Sequence, residues 1–76
     1  MAINSFNHQV AGEIRAEMAR QQRTQVWLAT ELGWTYIYLS RRLRGDVGLS
    51  LDDVEAIAAA LDTSILQLAW PKRTAS

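Results

Sequence analysis

Between Leu32 and Gly45 the run LGWTYIYLSRRLRG gathers two tyrosines, three arginines and a serine. These side chains are equipped for recognition rather than bond-making. A guanidinium fork matches two adjacent acceptors, such as O6 and N7 of a guanine or two phosphate oxygens, and a serine hydroxyl both donates and accepts. At about 100° per residue, Tyr36, Ile37, Ser40, Arg41 and Arg44 fall within an arc of roughly 140° if the run is helical. Leu39 and Leu43 lie on the other side, so one face packs and the other makes contact. Arg41 suits a base edge, Ser40 and Tyr36 can join it, and the apolar Ile37 makes sense opposite a thymine methyl. Arg44, Arg23 and Arg20 stand at helix ends or in flanking loops, where contacts to phosphate position a protein without specifying sequence. Tyr38 is expected to hydrogen-bond phosphate. Arg42 lies nearer the back, its stem covering apolar surface and its head in water.

Other chemistries find little support. The chain has no cysteine and a single histidine, His8, which has no partner at metal-ligand spacing and reads as a solvent-facing helical residue. Asp52, Asp53 and Glu55 stand in the first turn of an expected helix, where carboxylates favour the helix dipole, so they do not read as a metal site. A glycine-rich phosphate loop and a nucleophile paired with a base are both missing, and no enzyme, cofactor or small-molecule effector is expected. No apolar run is long enough to span a bilayer, so no membrane partner is expected. The formal net charge of zero hides a bipolar order. From Arg20 to Gly45 five basic residues face Glu31 alone, and from Asp46 to Asp62 there are five acids and no base. A basic patch would be confined to one side.

The elements that must position this face follow from apolar spacing, which is helical throughout the 76 residues. A first helix is predicted from about 7 to 21, with Val10, Ile14 and Met18 on one side. Thr24 caps a second, Gln25 to Leu32, whose stripe is Leu28, Ala29 and Leu32, and Gly33 stops it. Thr35 caps a third, Tyr36 to Arg44, ended by Gly45. Ser50 with Asp53 forms a capping box for a fourth helix that ends near Leu61 and buries Leu51, Val54, Ile57, Ala58 and Leu61. A short fifth is expected over about 64–69. Trp34 belongs with the core, and Trp27 packs on the first helix. The domain spans 1–71, with a flexible tail at 72–76.

Two short helices joined by Gly33-Trp34-Thr35 make a helix-turn-helix arrangement. The run T-Q-x-x-L-A-x-x-L-G-W-T-x-x-x-L-S-R-x-L-x-G from Thr24 to Gly45, followed by S-L-D-D-V-E-A-I-A-A-A-L, resembles the Cro/C1 (XRE) family of phage and bacterial repressors over roughly 14–68. At Arg42-Leu43 the chain reverses the family's usual order of an apolar residue followed by a polar or acidic one. The resemblance implies an all-α, five-helix, lambda-repressor-like domain in a bacterial cytoplasm. It also implies a Cro-like repressor that reads the major groove of double-stranded DNA with its third helix. Gln25 matches the family glutamine that holds a backbone phosphate, and the cap residues Thr24 and Thr35 join the phosphate set. A two-fold symmetric operator and a homodimer on DNA are implied. Ile65, Leu66, Leu68 and Trp70 are too apolar for a six-residue helix to hide, so they are the expected dimer surface, with Val47 and Leu49 adjoining. A protein-interaction module on the same fold, an antitoxin or anti-repressor, is the alternative.

Overall fold

The computed structural model describes residues 2–64 and 67–68, with side chains from residue 6 onward. Four helices are present among them: α1 (Ala2–Gln21), α2 (Gln25–Leu32), α3 (Tyr36–Arg44) and α4 (Leu51–Ala60). α1 starts five residues earlier than its apolar spacing predicts. Its early turns lie on the α3–α4 loop: Asn7 Oδ1 accepts from the Leu49 amide at 3.2 Å, and the His8 ring covers the open side of Gly45. His8 is exposed, as expected, yet it is not idle.

Starts and stops are local and follow residue type. The Thr24 hydroxyl oxygen accepts from the Trp27 amide at 3.0 Å, and that of Thr35 accepts from the Tyr38 amide at 3.1 Å. Ser50 and Asp53 form the reciprocal capping box, which satisfies two amides that the helix itself leaves without acceptors. Every one of the four helices closes by donating a backbone amide to a carbonyl five residues back: Arg23 to Met18, Trp34 to Ala29, Asp46 to Arg41 and Thr63 to Ala58. The residue just before each donor is left-handed. Gly33 and Gly45 adopt it with φ of 73° and 88°, while Gln22 and Asp62 adopt it without a glycine's freedom, at 58° and 57°.

The core takes Val10, Ala11, Ile14 and Met18 from α1, Leu28 and Ala29 from α2, Leu39 and Leu43 from α3, and Val54, Ile57 and Ala58 from α4, with Leu61 and Leu68. α3 lies against both α1 and α2, and α2 against α4. Trp27, Leu32, Trp34 and Leu49 pack around this cluster half-buried. Leu51, the first residue of α4, departs from the expected stripe and is 68% exposed. Leu68 departs too. It is 2% exposed and belongs to this domain's own core, so it cannot serve a dimer surface.

The fifth helix expected over about 64–69 falls largely outside the described residues. Within that span the Gln67 amide donates to the Ser64 hydroxyl oxygen at 3.1 Å, and Gln67 and Leu68 are helical. Ile65, Leu66 and Trp70, and the tail at 72–76, lie outside the described residues. Among the described residues no helix is long and apolar enough to cross a membrane, and no cluster of histidine and carboxylate side chains could hold a metal ion.

Candidate nucleic-acid interface

α3 is nine residues long and bound on two sides, so its outward face is short and its direction is fixed by its ends. At its start Thr35 caps it. At its end the Arg15 guanidinium, reaching over from α1, donates to the Leu43 carbonyl. That contact satisfies one of the four carbonyls a helix leaves open and puts a cation at the negative end of the dipole. Leu39 and Leu43, one turn apart, are fully buried beneath.

Of the four residues expected to read bases, three are presented. Ile37 is 67% exposed and Tyr36 is half-exposed. Arg41 is exposed and makes no side-chain hydrogen bond or ion pair with any described residue, so its fork is uncommitted. Ser40 is not presented. It is 8% exposed, a short side chain sunk between longer ones a turn to either side, and the helical projection that grouped it with Arg41 ignores side-chain length.

The expected phosphate ligands divide further. The Thr24 and Thr35 hydroxyls each accept from an amide, which leaves their own O–H groups to donate outward. Arg44 lies exposed, but Nε and Nη2 both donate to one oxygen of Asp46, at 3.2 and 2.8 Å. Arg20 is likewise paired, with Glu17 at 2.6 Å. Arg23 lays its guanidinium over the Trp27 ring at 4.2 Å from the centroid. This gives Trp27 a purpose that its position on a bare helix does not reveal, since the ring shelves the arginine while its other parts pack on the core. Gln25 lines an open cleft of about 220 Å³ with Arg15, Met18, Ala19 and Arg23. Its carbonyl oxygen is buried without a hydrogen-bond partner.

Tyr38 and Arg42 overturn what their helical positions suggest. The Tyr38 hydroxyl donates to Asp53 Oδ1 at 3.2 Å, so it is engaged inside the domain rather than offered to phosphate. Trp34 meets the same ring edge-on, 4.8 Å between centroids. Arg42, expected to hold its head in water, instead stacks its guanidinium on the Tyr38 ring at 3.5 Å. Its Nε approaches Asp53 Oδ2 to 3.4 Å, an ion pair by distance that lacks the alignment of a hydrogen bond. A one-helix projection has no α4 in it and cannot show this. Asp53 was legible only as a cap, although its place three residues after Ser50 and the reversed order at Arg42-Leu43 were both visible.

The assembled site is thus a capped, end-anchored helix that presents Tyr36, Ile37 and Arg41, with Arg44 and Arg23 beside it. It is suited to a surface rich in acceptors and methyl groups, flanked by anions. Residues 14–68 match the helix-turn-helix family model. No curated protein and no solved structure matches the chain.

Proposed function

Because the chain belongs to the helix-turn-helix family of the Cro/C1 type, we propose that it is a sequence-specific regulator of transcription, a Cro-like repressor whose α3 reads the major groove of double-stranded DNA. The observation that carries this reading is the uncommitted Arg41, which stands beside exposed Tyr36 and Ile37 on a helix fixed at both ends. In the major groove an arginine fork reads a guanine, and Ile37 covers a thymine methyl. Thr24, Gln25, Thr35, Arg23 and Arg44 hold phosphates on either side, where α2's first amides and its dipole add to them. Ser40 and Tyr38 drop out of the contacting set, and Arg20 takes part only after leaving Glu17.

Two copies act on a two-fold symmetric operator, since one small domain buries too little surface for specific affinity. Val47 and Leu49 border the surface through which they meet, together with Ile65, Leu66 and Trp70. Selection of bound duplexes from a random pool, followed by gel-shift titration of Arg41→Ala, tests the proposal. The selected sites should be inverted repeats with centres about one helical turn apart. Arg41→Ala should lose about 1–3 kcal/mol on them and relax one base preference. Equal binding of selected and random duplexes by the parent protein would refute the proposal and leave the protein-interaction module.

A further inference from the structure

The reversed pair Arg42-Leu43 has a structural consequence beyond register. Leu43 fills the core position, and Arg42 is turned toward α4. There its guanidinium covers one face of Tyr38, Nη1 donates to the Tyr38 carbonyl at 3.1 Å, and Nε stands 3.4 Å from Asp53 Oδ2. The Tyr38 hydroxyl reaches the other Asp53 oxygen. Asp53 Oδ2 also accepts from the Ser50 amide at 3.1 Å. One carboxylate therefore closes the cap of α4 and receives two residues of α3.

The geometry points to Arg42 and Asp53 as positioning residues that fix the direction of α3 against the start of α4, and with it the aim of the neighbouring Arg41. This rests on α3 being the helix that reads DNA. Arg42 touches no base in this arrangement. Its side chain is only 17% exposed, and its planar group is used by a ring on one face and a carboxylate at its edge. Base contacts demand placement to within about 0.5 Å, so a helix free to pivot loses discrimination before it loses the phosphates, which tolerate more play. Nε, buried without a hydrogen bond, is held by the charge of Asp53. Lysine keeps the positive charge but neither the plane nor the fork.

The test uses the full chain, one selected duplex and one random duplex of equal length, and the variants Arg42→Leu, Arg42→Lys, Asp53→Asn and the double Arg42→Leu/Asp53→Asn. Arg42→Leu should weaken binding of the selected duplex by roughly two- to thirty-fold. Random-duplex affinity should stay within about two-fold and the salt slope should not change. Arg42→Lys should recover less than half of the loss, and the double variant should be no worse than the poorer single one. Equal losses on both duplexes with a flatter salt slope would make Arg42 a phosphate ligand and overturn the proposal, as would unchanged discrimination in both Arg42 variants. If Arg42→Leu does not fold, Asp53→Asn and Arg42→Lys carry the same comparison. If the parent itself fails to discriminate, the DNA-reading role falls. The clamp is then judged by hydrogen exchange of the free protein, where Arg42→Lys should speed the amides of 39–43 by about ten-fold and leave those of α1 unchanged. Equal acceleration everywhere, or none, would overturn it.

Discussion

Arg44 and Asp46 offer a perturbation that should raise affinity rather than lower it. Both side chains are exposed, and two nitrogens of the arginine point at a single carboxylate oxygen, the nearer at 2.8 Å. A phosphate that takes Arg44 must displace Asp46 and then tolerate its charge nearby. Asp46→Asn removes both costs while keeping the backbone bond from residue 46 to the Arg41 carbonyl. An exposed ion pair of this kind contributes about 0.2–1 kcal/mol, and a residual like charge about 8 Å from a phosphate in water costs about 0.5 kcal/mol. Together they predict a gain of about 0.7–1.5 kcal/mol, or roughly three- to twelve-fold in affinity. Because phosphates carry no sequence information, the gain should be the same on selected and random duplexes. Fluorescence-anisotropy titrations across a salt series would measure it, with Arg44→Ala as the second background. The ion-pair part of the gain should vanish there, leaving the long-range part of about 0.5 kcal/mol. A gain confined to the selected duplex, or one that persists in full without Arg44, would refute the reasoning.

The two left-handed glycines around α3 should not respond alike to alanine. A Cβ at Gly33 meets nothing within 4 Å, whereas at Gly45 it would fall 2.5 Å from His8 Nε2. Both variants incur the left-handed penalty of about 1–2 kcal/mol, offset by about 0.4–1 kcal/mol from a stiffer unfolded chain. Only Gly45→Ala must also push the imidazole away. Thermal melts should rank Gly45→Ala below Gly33→Ala, and in a His8→Ala background the two should converge; a gap that survives there would assign the difference to something other than His8. At low pH, Glu17 should report the tie between α1 and the end of α4. The hydrogen bond from Gln21, and next that from Arg20, hold its carboxyl below the usual glutamate range, and the same Gln21 amide donates to the Leu61 carbonyl at 2.7 Å. A depressed folded-state value stabilises the fold above the unfolded value and loses that contribution as pH falls through the folded one. Glu17→Gln should therefore melt with a shallower pH dependence below about pH 4 than the parent, and parallel curves would exclude Glu17 as a contributor.

The parts of the fold that were legible are those determined within one helical turn. Thr24, Thr35 and Ser50 with Asp53 act as caps, and Gly33 and Gly45 as left-handed stops, because each device needs only its own neighbours. The unread parts depend on distance along the chain. Asn7 and His8 serve the loop at 45–49 from some forty residues away, so nothing in residues 2–6 alone announces that α1 begins there. Gln22 and Asp62 end their helices in a conformation usually left to glycine. Neither is a glycine, so residue type does not mark these stops as it does at Gly33 and Gly45. On the site, a projection of α3 separated buried from exposed side chains correctly for Leu39, Leu43, Ile37 and Arg41. It failed for Ser40, where length matters, and for Tyr38 and Arg42, where α4 does.

The same folding-back changes what the charge pattern means. Along the chain the basic segment and the acidic one are separate, which suggests two opposed patches. In the fold, Asp46 takes Arg44 and Asp53 takes Arg42, while Glu17 takes Arg20 from within α1. Of the five arginines between 20 and 44, three thus already hold a carboxylate and Arg23 a tryptophan ring. Arg41 alone has no such partner among the described residues. A polyanion approaching this surface meets a weaker field than five positive charges would make, because each further phosphate contact exchanges one pair for another rather than adding one. On the proposed reading this cost falls equally on selected and random duplexes, whereas Arg41, Tyr36 and Ile37 need no exchange to meet base edges. On that reading Asp46 and Glu17 lower the share of affinity that comes from phosphates and leave the base-edge share to Arg41, Tyr36 and Ile37.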